Sequence, residues 1–381
     1  MRARILLLLL LTSLFMAEIA AGATILVRKD GTGDYSVLHT AVNAAADGDT
    51  ILIGPGEFTE TRSVQIPGWP TDVLTHGDVL VRRLTIIGAG EGVTVIGPVS
   101  LPSDGALGHH GLSMMRMDHE LYISDLTIRS SGLFFEGSFT VQRCELRNSS
   151  VIWATLTGTS NLIRDCRFSG QDTGGIVAWP SDSGLEFEDC QFNGAYALVC
   201  NSDVSFRRCR FDGGTFAVRI IDGERCQILD CDITNVSWGI STGLSWPPYQ
   251  CEIHSSRIAG VYAALSIDDR TSAIVENSVL TGGSDSVVYA HDADAITIHG
   301  CDFVKGAGPV FRCERSAALG PVTYDVTNNY WGTSDESQIR EWIIDSNDDA
   351  SIFATVQYSP FSGQSVPTET TSWGDVKVLF R

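Results

Sequence analysis

The sequence predicts an all-β solenoid, a parallel β-helix. Three observations carry this prediction: an internal repeat, alternating apolar residues within each repeat, and the residue type before a fixed anchor position. The repeat is about 22 residues long, with anchor spacings from 19 (Cys190 to Cys209) to 28 (Cys301 to Asn329). The anchors are Cys144, Cys166, Cys190, Cys209, Cys231, Ser256, Ser278, Cys301 and Asn329.

Each repeat reads as two short strands joined by a sharp bend. Leu185 and Phe187 alternate before the anchor Cys190, and Phe192 follows it, so the alternation shifts by one residue at the anchor. The residue before the anchor is mostly one that tolerates a left-handed backbone, which such a bend requires. These residues are Asp165, Asp189, Asp230, Asn277, Gly300 and Asn328, with Arg208 and Ser255 as exceptions. Leucine-rich repeats need L-x-x-L-x-L spacing, which is absent, and β-propellers need a longer period.

Both ends of a solenoid need a cap, and the sequence supplies a candidate for each. Near the N-terminus, apolar residues at helical spacing follow Ser36 and stop at Gly48. Those residues are Leu38, Ala41, Val42 and Ala45. After the last repeat, Thr333 and Glu336 form a capping-box pattern, with Ile339, Trp342 and Ile343 on one helical face. The stretch "FATVQYSPF" is expected to add a closing strand.

The chain divides into three parts. Residues 1–23 have a basic start, an apolar run and a small-x-small ending, which is typical of a cleaved signal peptide, so the protein is expected to be secreted or at the cell surface. Residues 24–361 hold the solenoid and its caps, and 362–381 read as a linker and a short tail. No later segment is apolar enough to span a membrane. A formal charge of -20 disfavours nucleic acid and anionic membranes as partners.

The ten cysteines indicate packing rather than a disulfide framework. Six are anchors, and five of these lie on consecutive coils, where small buried thiols stack well. Cys226 and Cys251 both lie five residues before an anchor, so their Cα atoms should be about 4.8 Å apart. A disulfide between these two residues is therefore allowed in an oxidising compartment. No cysteine or histidine spacing predicts a metal site.

The chain resembles the pectin-lyase-like superfamily over residues 24 to about 361. "DGTGDYSVLHTAVNAAADGDTILIGPGEFTE" resembles the N-terminal segment of pectin methylesterases and of uncharacterised exported β-helix proteins. "NNYWGTSDESQIREWIIDSNDDASIFATVQYSPF" resembles the closing segment of the latter. The resemblance implies a right-handed parallel β-helix with a short N-terminal capping helix and a C-terminal helix/strand cap. It does not imply one activity, because the superfamily contains lyases, hydrolases, esterases, isomerases and non-enzymes.

The motifs of the resembling enzymes are mostly missing. Gly56–Glu60 fits the esterase pattern G-x-[YF]-x-E, and Gln171-Asp172-Thr173 fits its Q-D-T. The esterase D-[FW]-I-F-G strand and G-R-P-W segment are absent, as are the pectate lyase patterns W-I-D-H and R-x-P-x-x-R. The polygalacturonase motifs N-T-D, DD, G-H-G and R-I-K are also absent as a set. A known active site of these families is therefore not predicted.

A candidate groove follows from aligning the strand before each long turn. Alternation directs one apolar residue of each strand inward, namely Ile176, Leu198, Val218, Leu265, Val287 and Val310. The polar residues that then point outward or occupy the next turn are Arg219, Asp222, Asp268, Asp269, Arg270, His291 and Asp292. Acids mixed with Arg and His suit general acid–base work on a glycosidic bond or uronate binding, although solenoid turns are also polar simply because they face water.

Two further patterns bear on ligands. Exposed residues that could contact sugar rings or hydroxyls are Trp179, Asn201, Trp246 and Tyr249, although rings in loops also pack on the coil beneath. Asp345, Asn347 and Asp349 match the start of a calcium loop, but position 6 is Ala350 and no Glu stands at position 12. Calcium is therefore suggested by the start of the loop alone, and no other cofactor is expected.

Three functions fit these observations. The first is non-catalytic binding of a polysaccharide or cell-surface component along the solenoid face, which the missing motifs favour. The second is a polysaccharide lyase or glycoside hydrolase with an atypical site in the candidate groove. The third is a structural cell-surface protein. Convergence of the acidic residues in a groove would favour the second function, and a splayed arrangement would count against it.

Overall fold

A computed structural model describes residues 22–64, 73–77, 82–98, 110–112, 120–130, 133–147, 152–155, 161–170, 177–179, 184–194, 197–200, 203–222, 225–243 and 250–365. None of the helices in these ranges is long and apolar enough to cross a membrane. Strands and helices are numbered separately, each in chain order.

The first long sheet stacks 14 parallel strands, one from each successive coil. Its strands, in spatial and chain order, are β1 (Thr24–Val27), β2 (Thr50–Ile53), β6 (Leu84–Ile87), β9 (Leu121–Ser124), β12 (Phe139–Gln142), β15 (Asn161–Arg164), β18 (Leu185–Glu188), β21 (Val204–Arg207), β24 (Arg225–Leu229), β26 (Gln250–His254), β28 (Ser272–Glu276), β31 (Ala295–His299), β34 (Val322–Asp325) and β36 (Ala354–Gln357). Inward residues alternate with outward ones along most of these strands, as the repeat predicts.

The second long sheet contains 16 strands and carries the candidate site. Its main path is β3 (Gly56–Phe58), β7 (Thr94–Ile96), β10 (Thr127–Arg129), β13 (Glu145–Arg147), β16 (Arg167–Ser169), β19 (Gln191–Asn193), β22 (Arg210–Asp212), β25 (Asp232–Thr242), β27 (Arg257–Asp268), β30 (Val288–His291), β33 (Phe311–Glu314) and β35 (Ile343–Ile344). Beside this path lie β20 (Ala197–Cys200), β23 (Phe216–Asp222), β29 (Val279–Thr281) and β32 (Asp302–Val304).

Two smaller sheets complete the described strands. One contains β11 (Leu133–Glu136), β14 (Ile152–Thr155) and β17 (Val177–Trp179). The other contains β4 (Arg62–Val64), β5 (Val73–Gly77) and β8 (His110–Leu112), and its β4–β5 pair is antiparallel. Because the remaining described pairs are parallel and join equivalent strands of successive coils, the predicted parallel β-helix is confirmed.

The anchors link neighbouring coils by hydrogen bonds. The backbone N–H of Cys301 donates to Oδ1 of Asn329 at 2.8 Å, and that of Ser256 donates to Oγ of Ser278 at 3.1 Å. The Ser256 hydroxyl also donates to the carbonyl of His254 at 2.8 Å. All nine anchors are buried. An anchor must therefore be small and must both accept and donate, which explains why Cys, Ser and Asn share the position.

The residue before each anchor adopts the left-handed conformation that the sequence predicts. Positive φ angles between 50° and 62° occur at Arg143, Asp165, Asp189, Arg208, Asp230, Ser255, Asn277, Gly300 and Asn328. Arg208 and Ser255, and also Arg143 as a third exception by residue type, adopt the same geometry as the rest. The fold therefore imposes the bend even where the local side chain does not favour it.

Aromatic side chains fill part of the core in stacks. The rings of Phe168 and Phe192 are 4.6 Å apart, and those of Phe192 and Phe211 are 4.4 Å apart. Each of these residues occupies the same place in successive coils and is almost completely buried. Stacking identical side chains on successive coils is what makes the solenoid core continuous.

Both predicted caps are present. Helix α1 (Leu38–Ala44) buries the predicted apolar face at the N-terminal end. Helix α2 (Glu336–Glu341) buries Ile339 at the other end, and β36 closes the first sheet. The predicted capping box is wrong: the N-cap is Asp335, whose carboxylate accepts from the N–H of Ser337 at 2.9 Å, while the Thr333 hydroxyl accepts from the N–H of Asp335.

The allowed disulfide is not formed. Cys226 and Cys251 are register partners on β24 and β26, as their spacing predicts, but both thiols are buried and free. The reason is geometric, because in-register parallel strands hold the two Cβ atoms near the strand spacing of about 4.8 Å. A disulfide prefers Cβ atoms about 3.8 Å apart.

We expect the nine described thiols to resist alkylation in the native protein. All nine are buried, which blocks access of the reagent, and at Cys301 burial also raises the pKa to about 12. Peptide mapping after native alkylation should recover these cysteines unlabelled, and labelling after denaturation should recover them all. A cross-linked Cys226–Cys251 peptide under non-reducing conditions would contradict the structure.

Candidate functional site

The candidate site lies on the outer face of five adjacent strands, β23, β25, β27, β30 and β33. Their register aligns one residue from each strand into a row that we call the polar row: Arg219, Ser241, Ser266, Tyr289 and Arg312. A second row, the acidic row, aligns Asp268, His291 and Glu314. The alternate positions on these strands are buried in the core, so the two rows face outward.

Asp268 is the most perturbed acid of the site. Its Oδ2 accepts a hydrogen bond from the Ser266 hydroxyl at 2.9 Å, and its backbone N–H donates to the Thr242 hydroxyl at 2.6 Å. Burial raises the pKa of Asp268 to about 6, and the hydrogen bond from Ser266 and the charges of His291 and Arg219 only partly oppose that effect. A carboxyl group with this pKa is partly protonated near neutral pH.

The turn after Asp268 brings three more predicted residues together. Nδ1 of His291 lies 3.6 Å from Oδ1 of Asp269. Asp292 Oδ1 accepts the backbone N–H of Ser316 at 2.7 Å. One ligand atom from each of Asp269, His291 and Asp292 lies within 4.8 Å of the others, so these residues converge as a functional site requires. They are also the residues of the site that could hold a metal ion.

Arg219 is the exposed cation of the site. Its guanidinium lies over the ring of Phe216, 5.0 Å from the centroid, and it is close enough to lower the pKa of Asp268. No ion pair forms at this guanidinium within the described part of the chain. It is therefore placed to bind an anionic group of a ligand beside Asp268.

The far end of the site is an interlocked group that sequence reasoning missed. The Tyr289 hydroxyl donates to Glu314 Oε2 at 2.7 Å, and Arg312 pairs with Glu314 at 2.5 Å and with Asp285 at 2.9 Å. The hydrogen bond from Tyr289 lowers the pKa of Glu314. A cleft of about 480 Å³ opens here, lined by His291, Asp292, Arg312, Cys313, Glu314, Arg315, Ser316, Ile344, Asp349, Ser351 and Ile352. Aligning "SVVYAHD" with "AALSIDD" would have placed Tyr289 in the row of Ser266.

The other predicted site residues are not part of this convergence. Asp222 ends β23, where its backbone pairs with Cys200 across a bulge. Arg270 is in the turn, where its backbone N–H donates to the carbonyl of Asp292. Trp179 ends β17 in a smaller sheet, away from the five strands of the site. Three predicted ligand-binding residues, Asn201, Trp246 and Tyr249, lie outside the described residues.

The predicted inward residues Val218, Leu265, Val287 and Val310 are all buried, but they do not all pair with one another in the observed register. Leu198 pairs with Arg219 of the outer row rather than with the inward Val218. The partner of Leu265 is Val288 rather than Val287, and the partner of Val288 is Phe311 rather than Val310. Val287 and Val310 are also buried, because the coil corner is apolar, so alternation alone does not set the register there.

The described acidic residues of the esterase-like and calcium-like stretches, which lie outside the five strands of the candidate site, make structural contacts. Glu57 of the esterase-like stretch pairs with Arg129 at 2.9 Å, and Glu60 pairs with Lys29. The esterase-like Gln171-Asp172-Thr173 lies outside the described residues. In the calcium-like stretch, buried Asp345 accepts the N–H groups of Asn347 and Val356, each at 2.9 Å, and pairs with Arg340. This stretch therefore has the contacts of a structural turn.

The comparisons with known proteins concern the fold of the chain. Residues 111–246 match a family model described as "Right handed beta helix region". No curated protein sequence matches the chain.

Three solved structures are similar in outline. The complex of XylC with xylose is 10% identical, with a TM-score of 0.48, covering 90% of this chain and 84% of that one. The mannuronan C-5 epimerase AlgE4 A-module of Azotobacter vinelandii is 12% identical, with a TM-score of 0.39 and coverages of 86% and 94%. A mannuronic acid specific family 6 polysaccharide lyase from human gut microbiota is 13% identical, with a TM-score of 0.37 and coverages of 82% and 86%. Similarity this low carries no activity over to the present chain. The family match and the stacked parallel coils together show that the chain is a β-helix protein of the right-handed type.

Proposed function

We propose that the protein binds an acidic polysaccharide across the polar and acidic rows and cleaves it by general acid–base chemistry. The observation that carries this proposal is the placement of Asp268, a half-buried carboxyl group between Arg219, Ser266 and His291. Burying an ionisable group without a direct ion pair destabilises a fold, so such groups concentrate at functional sites.

Asp268 would act as the general acid. Its raised pKa keeps part of the population protonated near neutral pH, and the proton would pass to the glycosidic oxygen as the bond breaks. The hydrogen bond from Ser266 fixes the carboxyl group on the floor of the site. This role requires an acid that is both protonated and accessible, which the half-buried position of Asp268 allows.

His291 would act as the general base, with Asp269 orienting its ring. In an elimination, His291 removes the proton on the carbon next to the substrate carboxylate. The electron pair forms a carbon–carbon double bond, and the carbon–oxygen bond to the leaving sugar breaks as Asp268 supplies the proton. Arg219 would bind the substrate carboxylate, which makes that carbon more acidic.

Binding without cleavage is the second candidate function. The observation in its favour is that the sequence lacks the motif sets of the resembling lyases, hydrolases and esterases. The same two rows would then serve as a recognition surface for a polysaccharide or a cell-surface component. Secretion or display at the cell surface, which either function needs, remains a proposal from the N-terminal residues 1–23.

The test is a panel of uronate-containing and neutral polysaccharides, measured for binding by calorimetry and for release of unsaturated uronate and of reducing ends. We expect binding and unsaturated products with at least one uronate polymer. Binding without any product would support the second candidate function and exclude the proposed acid–base cleavage. No binding and no product across the panel would contradict both.

Arg219→Ala should weaken binding of the uronate polymer about tenfold, the loss of one charge-assisted contact. The matched control is Arg257→Ala, which removes an exposed arginine from the opposite end of β27 and should leave binding unchanged. Neutral polymers should not distinguish Arg219→Ala from wild type. Equal losses in both variants would mean that overall charge, rather than the position of Arg219, controls binding.

A further inference from the structure

Three aromatic residues lie on three consecutive coils, at the first residue of β23 and in the middle of β25 and of β27. Phe216 is the register partner of Trp238, and Trp238 pairs with Ala263, next to Tyr262. The rings of Trp238 and Tyr262 are 5.6 Å apart and tilted by 37°. We call Phe216, Trp238 and Tyr262 the aromatic step.

In the aromatic step, Tyr262 is exposed and Phe216 and Trp238 are half-buried, whereas the stacked phenylalanines of the core are buried. Tyr262 is 46% exposed and the adjacent Val261 is 59% exposed, whereas the stacked rings of Phe192 and Phe211 are at most 1% exposed. The half-buried rings of Phe216 and Trp238 and the exposed ring of Tyr262 together present an apolar surface to solvent. Such a surface is typical of a contact site.

Arg219 connects the aromatic step to the proposed acid. Its guanidinium covers the ring of Phe216 at one end of β23, and its positive charge acts to lower the pKa of Asp268. The surface therefore combines flat apolar ring faces with an adjacent cation. A pyranose ring has matching chemistry, because its C–H face packs on aromatic rings while its hydroxyl and carboxylate groups bind polar side chains.

Within the aromatic step, Tyr262 lies far from the proposed chemistry. Tyr262 and Asp268 are six residues apart on the same strand, which at roughly 3.3 Å per residue is about 20 Å. A ligand that reaches both places must be a chain of several sugar units. A single sugar or a short oligosaccharide at Asp268 would not touch Tyr262.

We propose that the aromatic step is a distal sugar-stacking subsite that binds a pyranose unit of the same polysaccharide several units from the cleaved bond. The inference rests on the proposed function for the identity of the ligand, and it adds that the protein selects long chains over short ones. Contact with the aromatic step increases the affinity for long chains only, because a short oligosaccharide bound at Asp268 does not reach Tyr262.

The test uses oligosaccharides of graded length, from the disaccharide upward, prepared from the uronate polymer that the panel identifies. Binding is measured by calorimetry on the Asp268→Asn background, so that no turnover occurs. Tyr262→Ala should weaken binding of the long oligosaccharides about tenfold and leave the disaccharide unchanged. Tyr262→Phe, which keeps the ring, should bind like the parent, and Val304→Ala, at a residue with the same 46% exposure, is the control for loss of exposed apolar surface.

The outcomes separate this inference from the proposed function. If Tyr262→Ala binds every length like its parent, the subsite is wrong while the acid–base site stands. If it weakens all lengths equally, the residue acts at Asp268 and the distal position is wrong. If wild-type protein binds long chains through Tyr262 but cleaves none, the subsite stands and the proposed chemistry is wrong. Failure to bind oligosaccharides of any length contradicts both.

Discussion

Asp268→Asn should abolish cleavage while making the folded protein more stable at neutral and alkaline pH. An amide cannot give up a proton, so the loss of the general acid is expected to lower kcat by about 10²–10⁴-fold. Binding should persist, because the amide still accepts the hydrogen bond from the Ser266 hydroxyl. Measuring kcat by unsaturated product formation and binding by calorimetry separates the two effects.

The stability effect has a definite sign. Burial raises the pKa of Asp268 from the ordinary 3.8 to about 6, so the folded state holds the proton more tightly than the unfolded state. This contribution to stability is present below about pH 4 and is lost as the pH rises through about 6. Asparagine does not ionise, so the variant avoids the cost of a charged, half-buried carboxylate. At pH 8 it should therefore melt about 2–4 °C above wild type, with no such gain at pH 4.

In wild type, the same titration should limit the reaction at high pH. The rate of cleavage should fall as the pH rises through about 6, because Asp268 loses the proton that the leaving oxygen needs. Asp203→Asn is the matched control, since Asp203 is an exposed acid directly before β21 of the first sheet. It should change neither the rate nor the melting temperature. A stabilised Asp268→Asn that still cleaves at the wild-type rate would rule out Asp268 as the acid.

The features that local chemistry dictates could be predicted from the sequence. The bend at each anchor depends on one small residue and a left-handed neighbour, and the structure places both as expected, even at Arg208. Helix α1 followed from the spacing of Leu38 and Ala41. These rules work because each acts over a few residues and recurs in every coil.

The features that depend on register between coils were harder to predict. At the site, buried apolar corners such as Val287 interrupt alternation, so alternation alone does not determine that Leu198 pairs with Arg219 rather than with Val218. Asp268 and His291 could still be grouped, because polar turns of adjacent coils must lie together. The Tyr289–Glu314 hydrogen bond could not, since it joins different rows on different coils.

Asn329→Ala should be the most destabilising single change among the anchors. The side chain is completely buried, accepts the N–H of Cys301 at 2.8 Å, and donates to the carbonyls of Ile298 at 2.6 Å and Val326 at 2.9 Å. Alanine leaves all three backbone groups buried without this partner. Since each unpaired group costs about 1–3 kcal/mol, we expect the free energy of unfolding to fall by about 3–5 kcal/mol.

The loss should be local, because a solenoid coil contacts mainly its neighbours. Hydrogen exchange should accelerate in β31, β34 and β36 and stay slow in β15 and β18, while urea denaturation gives the change in free energy. Asn329→Ser should cost less, because serine at Ser256 and Ser278 already bonds to neighbouring backbone in the same way. Asn193→Ala, at an exposed residue of β19, should cost nothing measurable. If serine proved as damaging as alanine at Asn329, the length of the amide would matter more than the accept-and-donate role that the anchors share.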